Sequence, residues 1–393
     1  DKPTTVYLGI DPTAPSIHCG NLVVLLVLKR MQQFGHTPIA LVGGSTGLVG
    51  DPSGKSEERS FNDEEVVKEW VERIRKQVSK FLDFGAKDNG AIAVNNYDWT
   101  KEYSALRLLR EIGKHFSVNQ MLSKDSVQSR IEANGISYTE FSYQVLQSMD
   151  YLELFKRHGC ALQIGGSDQW GNIVTGTELI RRKSGKEAFA LTTPLIKKAD
   201  GSKFGKTEQG NIWLDPDKTS PYQFYQYWLN TSDEDAASFI KIFTTRDRES
   251  IESLIQQHAE KPHERLLQQE LAKDVTIRVH GVDELQKAIR ASEILFGNAQ
   301  AADLEQIDES TLLSATSGLP QATISAEAYD QCASVTDLLS ESSGKIIFPS
   351  KGEARKMIQG GGVSVNKEKI TDPSAKPAYK LLHGKYLLAQ KGK

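Results

Sequence analysis

The stretch VYLGIDPTAPSIHCGNLVVLLVLKRMQQFGHTPIALVGG, residues 6–44, decides the fold. Val6–Ile10 is a short apolar run stopped by Asp11-Pro12, the mark of a strand. Leu22–Phe34 places apolar residues at helical spacing, and Pro38–Val42 is a second apolar run ending in Gly43-Gly44. Strand, helix, strand with glycine-rich exits predicts a parallel sheet of the doubly wound kind. Ala91–Asn95 and Ala161–Gly165 read as further strands, and Asp63–Leu82, with acids in its first turn, as a long helix. Beyond Pro221 the pattern turns helical, over Tyr222–Leu229, Asp233–Ile242, Arg248–His258, Pro262–Val279 and Asp283–Leu295. The expectation is an α/β domain followed by a helical one.

Apolar residues make up 38% of the 393 and charged residues 25%, which excludes disorder, collagen or coiled coil as the dominant state. The net charge of −3 hides a strong asymmetry. Residues 345–393 hold 11 Lys/Arg against 3 Asp/Glu, a net of +8, whereas residues 297–344 hold 8 acids and no Lys or Arg. This reads as a basic binding module behind an acidic linker. Three widely spaced cysteines, Cys19, Cys160 and Cys332, build neither a disulfide framework nor a metal site and point to a reducing compartment. The longest aliphatic run, Leu22–Leu28, is too short to cross a bilayer. No targeting segment is read near Asp1, so a cytoplasmic location is expected.

Four segments carry chemistry. Asp11 to Asn21 leads straight into a helix, whose start binds phosphate through free N–H groups and the dipole. There His18 and Thr13 can hydrogen-bond phosphate oxygens, and Gly20 lets a ribose or purine approach its backbone; a His18 merely near a cap is the plainer alternative. Gly43 to Lys55 is glycine-rich but only superficially a P-loop, and Lys55 and Arg59 stand where a loop can reach phosphates or be simply solvated. Gln163 to Asn172 lies at a strand exit, where Asp168 is either a ribose partner or a helix cap. Ala199 to Thr207 is a polar loop with two lysines, Lys203 and Lys206, able to close over a triphosphate or to be a surface turn.

Together these segments resemble the bacterial-type tyrosyl-tRNA synthetases, of class I. His18-Cys19-Gly20-Asn21 looks like the His-Ile-Gly-His signature of that class, and Lys203-Phe204-Gly205-Lys206-Thr207 like its Lys-Met-Ser-Lys-Ser loop. The runs Ala40–Gly50, Gly113–Asn119, Thr139–Tyr143 and Leu162–Asn172 are similar to tyrosyl members, and Ser350–Asn366 resembles a ribosomal-protein S4 type domain. The resemblance implies a Rossmann-type parallel-sheet catalytic domain over 1–220, an α-helical domain over 221–296 that meets the anticodon and a small S4-like α+β domain over 345–393; between them residues 297–344, acidic and rich in Ser and Ala, read as a linker or a weakly structured bridge.

It also implies roles. Tyr7 and Asp150 would bind the phenol of L-tyrosine, Asp51, Tyr143 and Gln147 its ammonium, and Gln163 and Gln169 would border it. Asp168 would hold the ATP ribose, with Asp11, Gly20, Asn21 and Gly165 also at the nucleotide. Thr13 and His18 would stabilise the leaving phosphates, and Lys55, Arg59, Lys203, Lys206 and Thr207 would clamp pyrophosphate. Two positions depart from the pattern: Asn21 replaces the second signature histidine, and Leu8 stands where many members place a small polar residue. Mg²⁺ with ATP, tRNA(Tyr) and a homodimer complete the implied set. A nucleotidyltransferase without tRNA, or a catalytically inactive RNA-binding descendant, are the competing functions.

Overall fold

The structure is a computed structural model that describes residues 2–53, 63–207, 210–297, 300–317 and 319–392. Lys55 and Arg59 lie outside the described residues, as does the side chain of Thr207. Five strands, β1 (Thr5–Ile10), β2 (Thr37–Val42), β3 (Ile92–Asn95), β4 (Cys160–Gly166) and β5 (Phe189–Thr193), form one parallel sheet in the order β3-β2-β1-β4-β5. The chain winds outward from β1 to β2 and β3, then returns to the other side for β4 and β5. The topological switch therefore lies between β1 and β4, and a crevice opens beyond their carboxyl ends. β5 has no counterpart in the sequence reading: it is an edge strand with Phe189 and Leu191 exposed, so it lacks a continuous buried apolar run.

The helix after β1 spans Cys19–Gln33, three residues earlier than its apolar run starts. His18 is its N-cap, accepting from Gly20 N, and the Asn21 side chain returns to His18 N at 3.0 Å. Its buried face is Cys19, Leu22, Leu25, Leu26 and Leu28, set against the sheet. Between β2 and β3 the second glycine-rich segment is not all loop, because Thr46–Val49 closes one helical turn.

A helix of 21 residues, Tyr138–His158, escapes the sequence reading altogether. Its buried side includes Glu140, Tyr143, Gln144, Ser148 and Asp150, so hydrophobic periodicity is blurred. Its ends are nonetheless well signalled. Ser137 Oγ caps Glu140 N at the start, and Gly159 at φ 62° stops it. Residues 143, 147 and 150 are spaced by four and three, which puts them on one face. The first turn is pinned by an ion pair between Arg130 and Glu140 at 2.8 Å, both side chains only 2–3% exposed.

By compactness the chain divides into two units, one of residues 1–219 with 227–279, the other of residues 220–226 with 280–393. The expected helical domain over 221–296 is thus shared between them. In the first unit, Phe204 packs into an aromatic cluster with Tyr227, Trp228, Phe239 and Phe243, and Arg30 donates to the carbonyls of Lys241, Ile242 and Thr244. These contacts tie helices beyond Tyr227 to the sheet domain.

In the second unit, the stretch expected to be a linker is largely helical, over Ala301–Leu304, Glu309–Thr316, Ala326–Asp330 and Val335–Leu339. Val335 and Leu339 share one core with Phe348, Ile358, Val363 and Val365, so the terminal module starts before Lys345. Pro262–Val279 is also not one helix; a single turn ends at Arg265, at φ 53°, and a new helix runs Leu266–His280. Among the described residues no helix is long and apolar enough to cross a membrane.

Removing one partner of a buried ion pair strands the other charge. Arg130→Ala should lower the unfolding free energy by about 3–5 kcal/mol in chemical denaturation. Arg130→Met combined with Glu140→Leu should recover much of that loss.

Candidate active site

The deepest part of the crevice is built on β1, β4 and the Tyr138–His158 helix. Tyr7 on β1 is paired in register with Gln163 on β4, so both side chains leave the same face of the sheet. Tyr7 is 1% exposed, packs edge-on against Tyr151 with ring centroids 5.1 Å apart, and its hydroxyl has no hydrogen-bond partner among the described residues. Gln163 Oε1 is likewise buried, with no partner among the described residues. Burial, then the neighbouring Asp150 carboxylate, pushes the Tyr7 phenol well above its usual range.

Asp150, 3% exposed, accepts from Asn96 Nδ2 at 2.9 Å on one oxygen and from Trp99 Nε1 at 2.8 Å on the other. Those donors favour the carboxylate, but desolvation outweighs them and holds its pKa up to about 7. Asn96 is itself fully buried and spans the site: its carbonyl accepts from Ser45 N and its amide also donates to Thr46 Oγ1. Thr46 passes the chain on to Asp11 Oδ1 at 2.6 Å, whose other oxygen accepts from Tyr143 Oη at 2.7 Å. A buried polar chain thus joins Asp150 to Tyr143.

Beside it Asp51 accepts from Gln169 Nε2 at 2.7 Å and from Asn172 Nδ2 at 3.3 Å. The Asp51 and Asp11 charges add to burial in raising the Tyr143 phenol well above its usual range. Gln147 is half-buried one helical turn after Tyr143. The close approach expected of the glycines is to this network, for a Cβ on Gly43 would lie 2.1 Å from Asp11 Oδ1 and one on Gly44 2.4 Å from Asn95 Oδ1.

The outer part of the crevice is polar and open. Thr13 and Asp168 are exposed, and Gly165 is packed beneath Gln169. At the helix start His18 Nδ1 accepts from Gly20 N at 3.0 Å, leaving Nε2 to carry the ring proton. Gly20 is required by His18 itself, since a Cβ there would lie 2.8 Å from His18 Cε1. Asn21 Oδ1 is engaged as the reciprocal cap, a use that sequence reasoning did not foresee.

The lysine loop is anchored by Phe204 in its aromatic cluster and by Gly205 N donating to Tyr227 Oη at 3.0 Å. Lys203 and Lys206 remain exposed. A Cβ on Gly205 would lie 3.5 Å from Gly20 N, so the two signature segments adjoin.

The sheet domain therefore holds buried polar atoms, on Tyr7 and Gln163, that lack partners among the described residues, together with a helix N-terminus against which the lysine loop lies. The family model for class I tRNA synthetases (W and Y) matches residues 1–297, and that for the tyrosine–tRNA ligase SYY-like C-terminal domain matches 312–393. The chain belongs to the tyrosyl-tRNA synthetases of class I. It is 57% identical over 390 residues to the tyrosine–tRNA ligase of Cytophaga hutchinsonii, covering 99% of this chain and 91% of the relative. It is 54% identical, with the same coverages, to the tyrosine–tRNA ligase of Bacteroides thetaiotaomicron. A solved mitochondrial tyrosyl-tRNA synthetase from Aspergillus nidulans, truncated at its C-terminus, superposes with a TM-score of 0.67 at 30% identity, covering 75% of this chain and 86% of that one.

In this synthetase the residues that sequence reasoning missed are Asn96, Trp99, Thr46 and Asn172, all of which hold a site residue by hydrogen bond. Thr46 and Asn172 lie inside segments already singled out, and for Asn96 the signal was Asn95-Asn96 at a strand exit, since β-strand exits of such sheets face the ligand.

The raised Asp150 pKa makes stability depend on pH. Between the ordinary carboxylate value and about 7, the unfolded chain has lost this proton and the folded chain keeps it. The folded state then binds more protons, so Asp150 lowers stability as pH rises through that window and adds no further slope above it. Asp150→Asn should remove this part of the slope in denaturant midpoints measured from pH 4 to 8, whatever its effect on absolute stability.

Proposed function

We infer that the chain activates L-tyrosine with ATP to tyrosyl-adenylate and pyrophosphate, then transfers tyrosine to the 3′ end of tRNA(Tyr). The observation that carries the substrate is the Tyr7 hydroxyl, buried near Asp150 with no hydrogen-bond partner among the described residues. A phenol bound beside it supplies both a donor and an acceptor. A phenylalanine ring would leave those buried groups unpaired, which is costly. The ammonium end of the substrate is assigned to Asp51, Tyr143 and Gln147, with Gln163 and Gln169 at its edge.

The reaction is in-line attack of the tyrosine carboxylate on the α-phosphate, then attack of the tRNA ribose hydroxyl on the activated carbonyl. Neither step requires a protein nucleophile; positioning and charge stabilisation supply the catalysis. His18 Nε2–H, Thr13 and the helix N-terminus face the developing charge, with Lys203, Lys206, Thr207, Lys55 and Arg59 as the pyrophosphate clamp. Asp168, Asp11, Gly20, Asn21 and Gly165 are assigned to the nucleotide. Mg²⁺ enters with ATP as part of the substrate, its charge offsetting that of the phosphates.

The same reading makes the chain a homodimer and a cytoplasmic enzyme. The homodimer is carried by the family resemblance; between residues 106 and 138 the chain has exposed Leu106, Leu109, Val118, Ile131 and Tyr138 available for a covered surface. Cys19, Cys160 and Cys332 are all free and buried, in keeping with a reducing compartment. The S4-like module is assigned as the part that meets RNA, its core reaching back to Val335 and Leu339.

Tyrosine-dependent ATP–pyrophosphate exchange followed by tRNA charging tests the assignment; exchange without charging would refute it. Tyr7→Phe should cut the preference for tyrosine over phenylalanine, measured as the ratio of kcat/KM, by about tenfold. Arg355→Glu with Lys356→Glu, both on the exposed side of the Lys351–Gln359 helix, should weaken charging and reduce its logarithmic salt slope by about 2. Pyrophosphate exchange should be unchanged by that pair.

A further inference from the structure

We propose that Trp213 is a positioning residue for adenylate formation, its indole fixing the His18 ring and tying that ring to the Lys203–Thr207 loop. This rests on the role given to His18 under the ligase reading and adds a residue to it. The chain returning from the loop, Ile212–Leu214, runs antiparallel to Ile17–Cys19. Cys19 N donates to Ile212 O at 2.9 Å and Leu214 N to Ile17 O at 3.0 Å. These bonds flank His18 and Trp213, making them a non-hydrogen-bonded cross-strand pair, the kind whose side chains approach most closely.

The two rings meet edge to face, centroids 5.9 Å apart at 69°. On the Trp213 ring lies Lys218 Nζ, 5.1 Å from the centroid, and Trp213 N donates to Thr219 Oγ1 at 3.0 Å. Trp213 is therefore held from its own side, independently of His18. The His18 ring is bounded on the other side by Gly20, whose amide supplies the hydrogen bond to Nδ1. The Gly20 hydrogen bond on Nδ1 and the Trp213 ring contact together restrict the ring to one orientation, with the proton on Nε2. A ring turned over would present the wrong nitrogen.

The same segment carries the loop. Ile212 N donates to Gly205 O at 3.0 Å, and Lys206 pairs with Asn211 across a two-stranded ribbon. Movement of the lysine loop is thereby transmitted to Trp213 through main-chain bonds, and from its indole to the imidazole. The coupling has a physical path of one hydrogen-bonded ribbon and one ring contact.

A double-mutant cycle on the full chain tests it, using tyrosine-dependent ATP–pyrophosphate exchange, tyrosine affinity by calorimetry, and thermal melting. Trp213→Ala should lower kcat by about tenfold or more with tyrosine affinity unchanged, and Trp213→Phe should restore most of the loss. In a His18→Ala background, Trp213→Ala should cost less than about twofold, because the group it positions is gone. Equal losses in the two backgrounds overturn the proposal, as does a parallel loss of tyrosine affinity. Should Trp213→Ala fail to fold, Trp213→Leu takes its place in the cycle. Absence of exchange in the unsubstituted chain overturns the ligase reading itself, whereas exchange with additive losses overturns only the role of Trp213.

Discussion

Asp150 is a carboxylate buried near tyrosine rings, and the hydrogen bonds around it make that tolerable. An isolated charge there would cost several kcal/mol, so two donors, Asn96 and Trp99, are brought to its two oxygens. Even so, burial dominates and the group titrates near neutrality. Asn96 can serve Asp150 only because its carbonyl is satisfied by Ser45 N, and Thr46 then links it to Asp11 and Tyr143. The glycines at 43 and 44 let the main chain come close enough for these bonds. One buried charge thus dictates the composition of the β2 and β3 exits as well as of the Tyr138–His158 helix.

The polar half of the site follows a different logic. Here charge is met by exposed groups and by a helix start, which need no desolvation and can move with a ligand. His18 and Asn21 close their own cap, and the lysine loop is fixed at Phe204 and Gly205 while its lysines stay in solvent. On the proposed assignment, a rigid buried part for the amino acid and an adaptable exposed part for phosphates suit the two-step chemistry of a synthetase.

Charge in the second unit is also rearranged by folding. The terminal module's excess of basic residues meets its counter-charge within the same unit: Lys380 pairs with Glu305 at 2.6 Å, Lys385 with Glu309 at 3.1 Å, and Lys351 with Asp337. Such exposed pairs add little stability, but they reduce the local potential. The acidic stretch, read as a linker, is a counter-ion for the basic one. Arg355, Lys356, Lys369 and Lys376 are exposed and form no ion pair among the described residues, so they keep the module's uncompensated positive charge.

The sequence by itself determined the doubly wound sheet, four of its five strands and the two signature segments, because apolar runs and glycine exits are local signals. It also determined the family, through motifs whose order along the chain is legible without contacts. Edge strand β5 and the Tyr138–His158 helix stayed hidden, one because it is half exposed, the other because its buried face is polar. Only the tertiary structure decided which groups support the site residues. Asn96 and Thr46 lie 54 and 104 positions from Asp150, and the helix face bearing Asp150 is joined to them by hydrogen bonds across the sheet. Pairings over such separations leave no period in the chain, since they are chosen by desolvation and geometry after the elements have packed.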